Sequence, residues 1–129
     1  MSATPVRSLV AAWALAAAPA ALACGICVED KVAATYDYGV VTHAAARHRV
    51  VVFAAVDGPG DAAARALSLK QAAGRLAGVD RKSVRTAASP RALSFALDPR
   101  AATPESALAK LEREPSLRGV RLTLIKVMR

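Results

Sequence analysis

Aromatic residues make up only 4% of the 129-residue chain, asparagine is absent, glutamine occurs once, and cysteine and histidine occur twice each. Two cysteines exclude a disulfide-rich scaffold. Two histidines with no accompanying motif leave no Ser/His/acid triad to propose, so catalysis is not expected. Acidic residues are also scarce: 10 Asp+Glu against 18 Lys+Arg give a net charge of +8. What is abundant is alanine, about a quarter of the chain, within a 54% hydrophobic total. That total is too high for intrinsic disorder. Alanine buries little surface, however, so the length and composition predict one domain with a modest core.

Residues 1–23 have the pattern of a secretory signal. Arg7 is their only charge, residues 9–18 are apolar with Trp13 as the one aromatic, Pro19 breaks the run, and Ala21-Leu22-Ala23 ends it with small residues at the cleavage positions. The run is too short for a membrane span, which needs about 20 apolar residues. Cleavage after Ala23 is expected, leaving a periplasmic or secreted protein that begins at Cys24. A lipoprotein anchored through Cys24 is the minor alternative, because Ala21 stands where a lipobox carries leucine and Leu22 comes one position too late. Loss of the leader removes one positive charge, so the basic balance belongs to the mature chain. It does not point to nucleic acid. Export removes the opportunity, and only Arg81, Lys82 and Arg85 lie close together.

Residues 24–48 are expected to form a Cys-x-x-Cys segment and a helix over 26–47. Ile26, Val32, Ala33, Tyr36, Val40 and Ala44 mark one side, Glu29, Asp30, Lys31 and Asp37 lie mostly elsewhere, and Gly39 is a candidate kink. Residues 49–56 are β-branched and aromatic, and read as a strand stopped by Asp57-Gly58-Pro59-Gly60-Asp61. A helix over 62–77 follows, with Ala66, Leu67, Lys70, Ala73 and Leu76 marking its faces and Gly78 as its stop. Residues 83–88 and 92–97 predict a hairpin around Ser89-Pro90-Arg91. Thr103 and Pro104 then open a helix carrying Ala107, Leu108 and Leu111 inward, and 120–128 form a last strand. The fold class expected for 49–129 is α+β, a ferredoxin-like βαββαβ sandwich preceded by an N-terminal helix.

Residues 50–128 also resemble the heavy-metal-associated domain family, the small copper- or mercury-carrying module of metal chaperones and transport ATPases. The resemblance rests on the Val-rich first strand ending at Gly58, on Leu76-Ala77-Gly78-Val79, on Leu93-Ser94-Phe95-Ala96-Leu97 with Asp98-Pro99, and on Thr103-Pro104-Glu105. It implies the ferredoxin-like fold, a soft metal ion as cargo and a membrane metal transporter as partner. The family's Gly-Met-x-Cys-x-x-Cys loop is replaced here by Gly58-Pro59-Gly60-Asp61-Ala62-Ala63-Ala64, which has no sulfur.

The chain's only sulfur pair lies elsewhere, in Cys24-Gly25-Ile26-Cys27 at the start of a predicted helix. This spacing places both thiols on one side of a first helical turn, within reach of one cation or of each other. Thiolates select Cu(I), Hg(II) and, less strongly here, Zn(II) over hard ions. After cleavage the α-amino group of Cys24 adds a nitrogen donor. The candidate metal ligands are therefore Cys24 and Cys27. A thiol-disulfide or structural-disulfide module is the alternative, and an interaction domain that lost metal binding is a third. Covalent haem is disfavoured because Val28 stands where histidine is needed. His43 lies sixteen residues beyond Cys27, about 24 Å along a straight helix at 1.5 Å per residue. Neither it nor His48 is expected to share a metal with the cysteines, and Tyr36 and Tyr38 read as packing aromatics.

The first strand is apolar on both faces, with Val50, Val52, Ala54 and Val56 on one and Val51, Phe53 and Ala55 on the other. Two helices cover only one face of such a sheet. The leading helix is expected to cover the second through Val32, Tyr36 or Val40, with a homodimer interface as the alternative. RNA binding through the sheet is not expected, because residues 92–97 hold one aromatic and lack a base-stacking pattern.

Overall fold

The computed structural model describes residues 27–129. The expected secretory signal over residues 1–23, its expected cleavage site and Cys24 lie outside the described residues. Eight consecutive residues, mostly valine and alanine with Phe53 among them, form β1 (Val50–Asp57), buried at every position but the last. Antiparallel partners flank it on both sides: β3 (Arg91–Leu97) on one and β4 (Arg121–Met128) on the other. β2 (Arg85–Ala88) pairs with the far edge of β3, giving the spatial order β2-β3-β1-β4. Helix α3 (Ala62–Gly74) connects β1 to β2, and α4 (Pro104–Glu112) connects β3 to β4. The class is α+β.

Helices α3 and α4 cover one face. Leu69, Ala72, Ala73, Ala107, Leu108 and Leu111 bury against Val50, Val52, Ala54, Val56, Leu93, Phe95 and Leu97. The inward set expected for α4 is correct. Of the residues expected to mark the faces of α3, Ala73 is buried and Leu76, just beyond the helix, packs on the core, whereas Leu67 is 60% exposed and Leu69 takes a core position. Thr103 caps α4 in a reciprocal box with Ser106, and Pro104 occupies the first turn, where its missing N–H has no intrahelical partner to lose. Helix α3 ends at Gly74 rather than at residue 77. β2 starts at Arg85 rather than 83, because Asp80 accepts from the Lys82 N–H and caps a 3-10 turn over Arg81–Ser83.

The N-terminal segment is two helices, not one over 26–47. α1 (Val28–Thr35) and α2 (Tyr38–Ala46) are separated at Tyr36 and Asp37. The break falls before Gly39 because the Asp37 carboxylate accepts the Val40 N–H and starts a new helix. The pair lies across the second face of the sheet, where Ala44, Val32, Val40 and Val41 meet Val51, Phe53 and Ala96. The expectation is met through Val32 and Val40. Tyr36 is 45% exposed and Tyr38 72%, so neither is a core aromatic.

β4 shows how this double-sided packing constrains a strand. Leu122 and Leu124 lie opposite Val56 and Ala54, but Lys126 lies opposite Phe53, with Ile125 as an extra residue in a bulge. Unbroken alternation would turn Lys126 toward the main core. The bulge instead places Leu124 and Val127 beside that core and Ile125 and Met128 beside the α1–α2 layer.

One buried polar atom lacks a partner among the described residues. The Ser94 hydroxyl donates to the Thr35 carbonyl, whereas Thr35 Oγ1 is buried with no hydrogen bond. An unsatisfied buried hydroxyl costs about 1–3 kcal/mol, and replacing it with an apolar group of the same shape removes that cost. Thr35→Val is therefore expected to leave stability unchanged or raise it, measured as the denaturant midpoint at constant m-value. A clear fall would show that the hydroxyl is satisfied in solution.

Candidate functional site

Cys27 is the residue before α1. Its backbone is extended (φ −63°, ψ 148°), its carbonyl accepts from the Asp30 and Lys31 N–H groups, and its side chain is half-buried. The first turn that follows carries Glu29 and Asp30. α1 packs on the sheet through Val32, whereas its first residues, Val28, Glu29 and Asp30, are exposed. Next to it, Val28, Glu29, Val32, Ala33, Tyr36, Ile125 and Lys126 line a groove of about 560 Å³ between α1 and β4.

No three His, Cys, Asp or Glu side chains come together in a metal-binding group among the described residues. His43 lies on α2 and lines a different groove with Asp37, Arg49, Asp80, Lys82 and Arg85. His48 follows α2 in the left-handed backbone region (φ 55°) at the turn into β1. The structure places neither histidine in the groove beside Cys27.

The loop after β1, where the resemblance would place a metal, is organised by arginines. Arg65 donates through Nε to the Pro59 carbonyl, at 3.2 Å, and through its two terminal nitrogens to the Ser116 and Arg118 carbonyls, at 3.0 and 3.3 Å. Arg91 donates to the Gly58 carbonyl at 2.7 Å and to that of Gly60 at 3.4 Å. Asp61 caps α3 by accepting the Ala64 N–H. Two guanidinium groups occupy the carbonyl-rich turn, and the remaining hollow measures about 10 Å³. Positive charge bound to the loop carbonyls disfavours a cation at the same place. This loop is a structural clasp.

Asp37 and Arg85 form the best-organised ion pair, joining the α1–α2 break to the start of β2. Arg85 Nη2 and Nε lie 3.1 and 3.2 Å from Asp37 Oδ2, and Nη1 donates to the Lys82 and Val84 carbonyls. The Asp37 carboxyl is held below its ordinary value of 3.8, first by the Val40 N–H and then by Arg85. A depressed carboxylate contributes stability above its unfolded value, and that contribution disappears as the pH falls through the folded one. Asp37→Ala should therefore lower Tm near pH 7, and the gap from the parent should close as the pH is taken well below 3.8. Thermal melts across an acid series test this. A gap that persisted to the acid limit would contradict it.

Nothing in the local sequence marked Asp37, Arg65, Arg85 or Arg91. Their partners lie 31 to 53 residues away in most of these bonds, so only the fold brings them together. No protein-family model, curated protein or solved structure matches the chain.

Proposed function

We propose that this chain is an exported carrier or sensor of a soft metal ion, which it binds through Cys24 and Cys27. The observation that carries the reading is the placement of Cys27 at the start of a helix anchored on the sheet, with the second cysteine three residues earlier. Two thiolates and the α-amine of a processed Cys24 form a donor set that favours Cu(I) or Hg(II). The apolar leader supports export. The sheet order β2-β3-β1-β4, with helices after β1 and β3, supports a ferredoxin-like arrangement. That arrangement agrees with a heavy-metal-associated ancestry in which the clasp of Arg65 and Arg91 stands where the metal loop would be.

The test is mass spectrometry of the mature protein, followed by titration of its reduced form with Cu(I), Hg(II) and Zn(II), each under competition from a chelator. Wild type is expected to take one soft ion, and Cys27→Ser to lose at least about a hundredfold in affinity. That loss exceeds the 10–100-fold usual for an outer-shell residue, because a ligand itself is removed. A lipidated Cys24, or uptake unchanged by Cys27→Ser, would overturn the reading. A Cys24–Cys27 disulfide that resists reduction by glutathione would identify a structural-disulfide module instead.

A further inference from the structure

We propose that the groove between α2 and the Asp80–Arg85 segment binds a small oxyanion-bearing molecule with a short apolar body, a carboxylate or a phosphate ester. The groove measures about 320 Å³, at the lower end of the roughly 300–1,000 Å³ usual for small-molecule sites. Val40, Ala44 and Ala96 give it an apolar side, and His43, Arg49, Lys82 and Arg85 supply basic groups.

Its far wall is rigid. Val79 bridges to Leu97, and the Asp80 N–H donates to the Ala96 carbonyl. The buried Ser83 hydroxyl donates to the Asp80 carbonyl and accepts the Ala96 N–H at 2.8 Å. A 3-10 turn stitched to β3 in this way is pre-formed, so a ligand would not have to order it.

The charge balance decides the sign of the ligand. Arg85 is committed to Asp37 and to two carbonyls, and Asp37 to Arg85 and the Val40 N–H. Asp80 accepts the Lys82 N–H. Lys82 Nζ, the Arg49 guanidinium and the His43 ring form no hydrogen bond or ion pair among the described residues. Arg49 also feels Asp98, whose carboxyl is already engaged by the Arg100 N–H and side chain. The cations Arg49, Lys82 and Arg85 face the carboxylates of Asp37 and Asp80, so one positive charge is unmatched. His43 and Lys82 are exposed and Arg49 is half-buried, so these basic groups are accessible to an oxyanion, while Val40 beside them offers contact to a short hydrocarbon part.

The probes are butyrate and inorganic phosphate, added to the full mature protein at constant ionic strength and followed by amide chemical shifts. Saturable shifts at Ala44, Lys82, Ser83 and Ala96 with either probe support the site, and the probe that saturates first identifies the preferred oxyanion. Lys82→Glu should weaken binding about tenfold or more, as expected for loss of a charge-assisted contact. Arg121→Glu, an equal change of net charge on the exposed part of β4, should leave binding within about twofold, because constant salt screens distant charges. Shifts that rise linearly with both probes would overturn the proposal. So would equal weakening by the two variants, which would mean that the general positive charge of the chain, not this groove, attracts anions. The outcome is independent of whether Cys24 and Cys27 bind metal.

Discussion

Phe53→Ala is expected to destabilise the protein by about 3–5 kcal/mol, the usual cost of removing a buried aromatic ring. On a two-layer sheet the same side chain would face solvent and its loss would cost almost nothing. Here Phe53 is 1% exposed, because α1 and α2 bring Val32, Val40, Val41 and Ala44 over it. Truncation leaves a cavity that two short helices, joined by a capped break, can only partly collapse into. The loss should appear in equilibrium unfolding and should not depend on protein concentration, since the covering layer is part of the same chain. A parent protein whose Tm fell on dilution would instead show that a second copy contributes to this face. A loss below about 1 kcal/mol would mean that the α1–α2 layer does not stay docked in solution.

Gly58→Ala should be nearly as damaging, for a different reason. Gly58 has φ 137°, a region that L residues avoid, at a strain of about 1–3 kcal/mol. A Cβ there would also stand 2.7 Å from the Gly119 carbonyl oxygen and 3.1 Å from the Val120 Cα. Both obstacles are backbone and cannot swing aside, so the loop after β1 would have to separate from the start of β4. The same movement would pull the Gly58 carbonyl from Arg91. The expected result is a Tm drop of well over 8 °C, given about 4–8 °C per kcal/mol for a domain of this size. Limited proteolysis should cut first at the loop spanning residues 58–61. A Tm within a few degrees of the parent would show that the loop can relax around a Cβ.

Much of the fold was legible in the chain. The β-branched run of β1, the Thr103-Pro104 start of α4 and the hairpin around Ser89-Pro90 are local signals, and each element appears within a few residues of its expected place. Apolar residues on both faces of β1 implied a third layer, and the α1–α2 pair supplies it. Boundaries suffered where a side chain captured a backbone N–H. Asp37 split a helix that periodicity alone would continue, and Asp80 turned the start of a strand into a 3-10 turn. The Ile125 bulge was similarly invisible, since it resolves a conflict between two cores that exists only once both have formed.

Sequence alone determined which chemistry the chain can offer: two thiols at fixed spacing, no sulfur in the loop after β1, and a surplus of arginine and lysine. Those are properties of residue identity and need no fold. Tertiary structure decided what the remaining charges do. Arg65 and Arg91 became a clasp on the Gly58–Gly60 loop, Arg85 was drawn onto Asp37, and Lys82, Arg49 and His43 were left to face one groove. Guanidinium groups are neutralised by whichever carbonyls and carboxylates chain closure brings within about 3 Å, and in this protein those partners come mainly from distant segments.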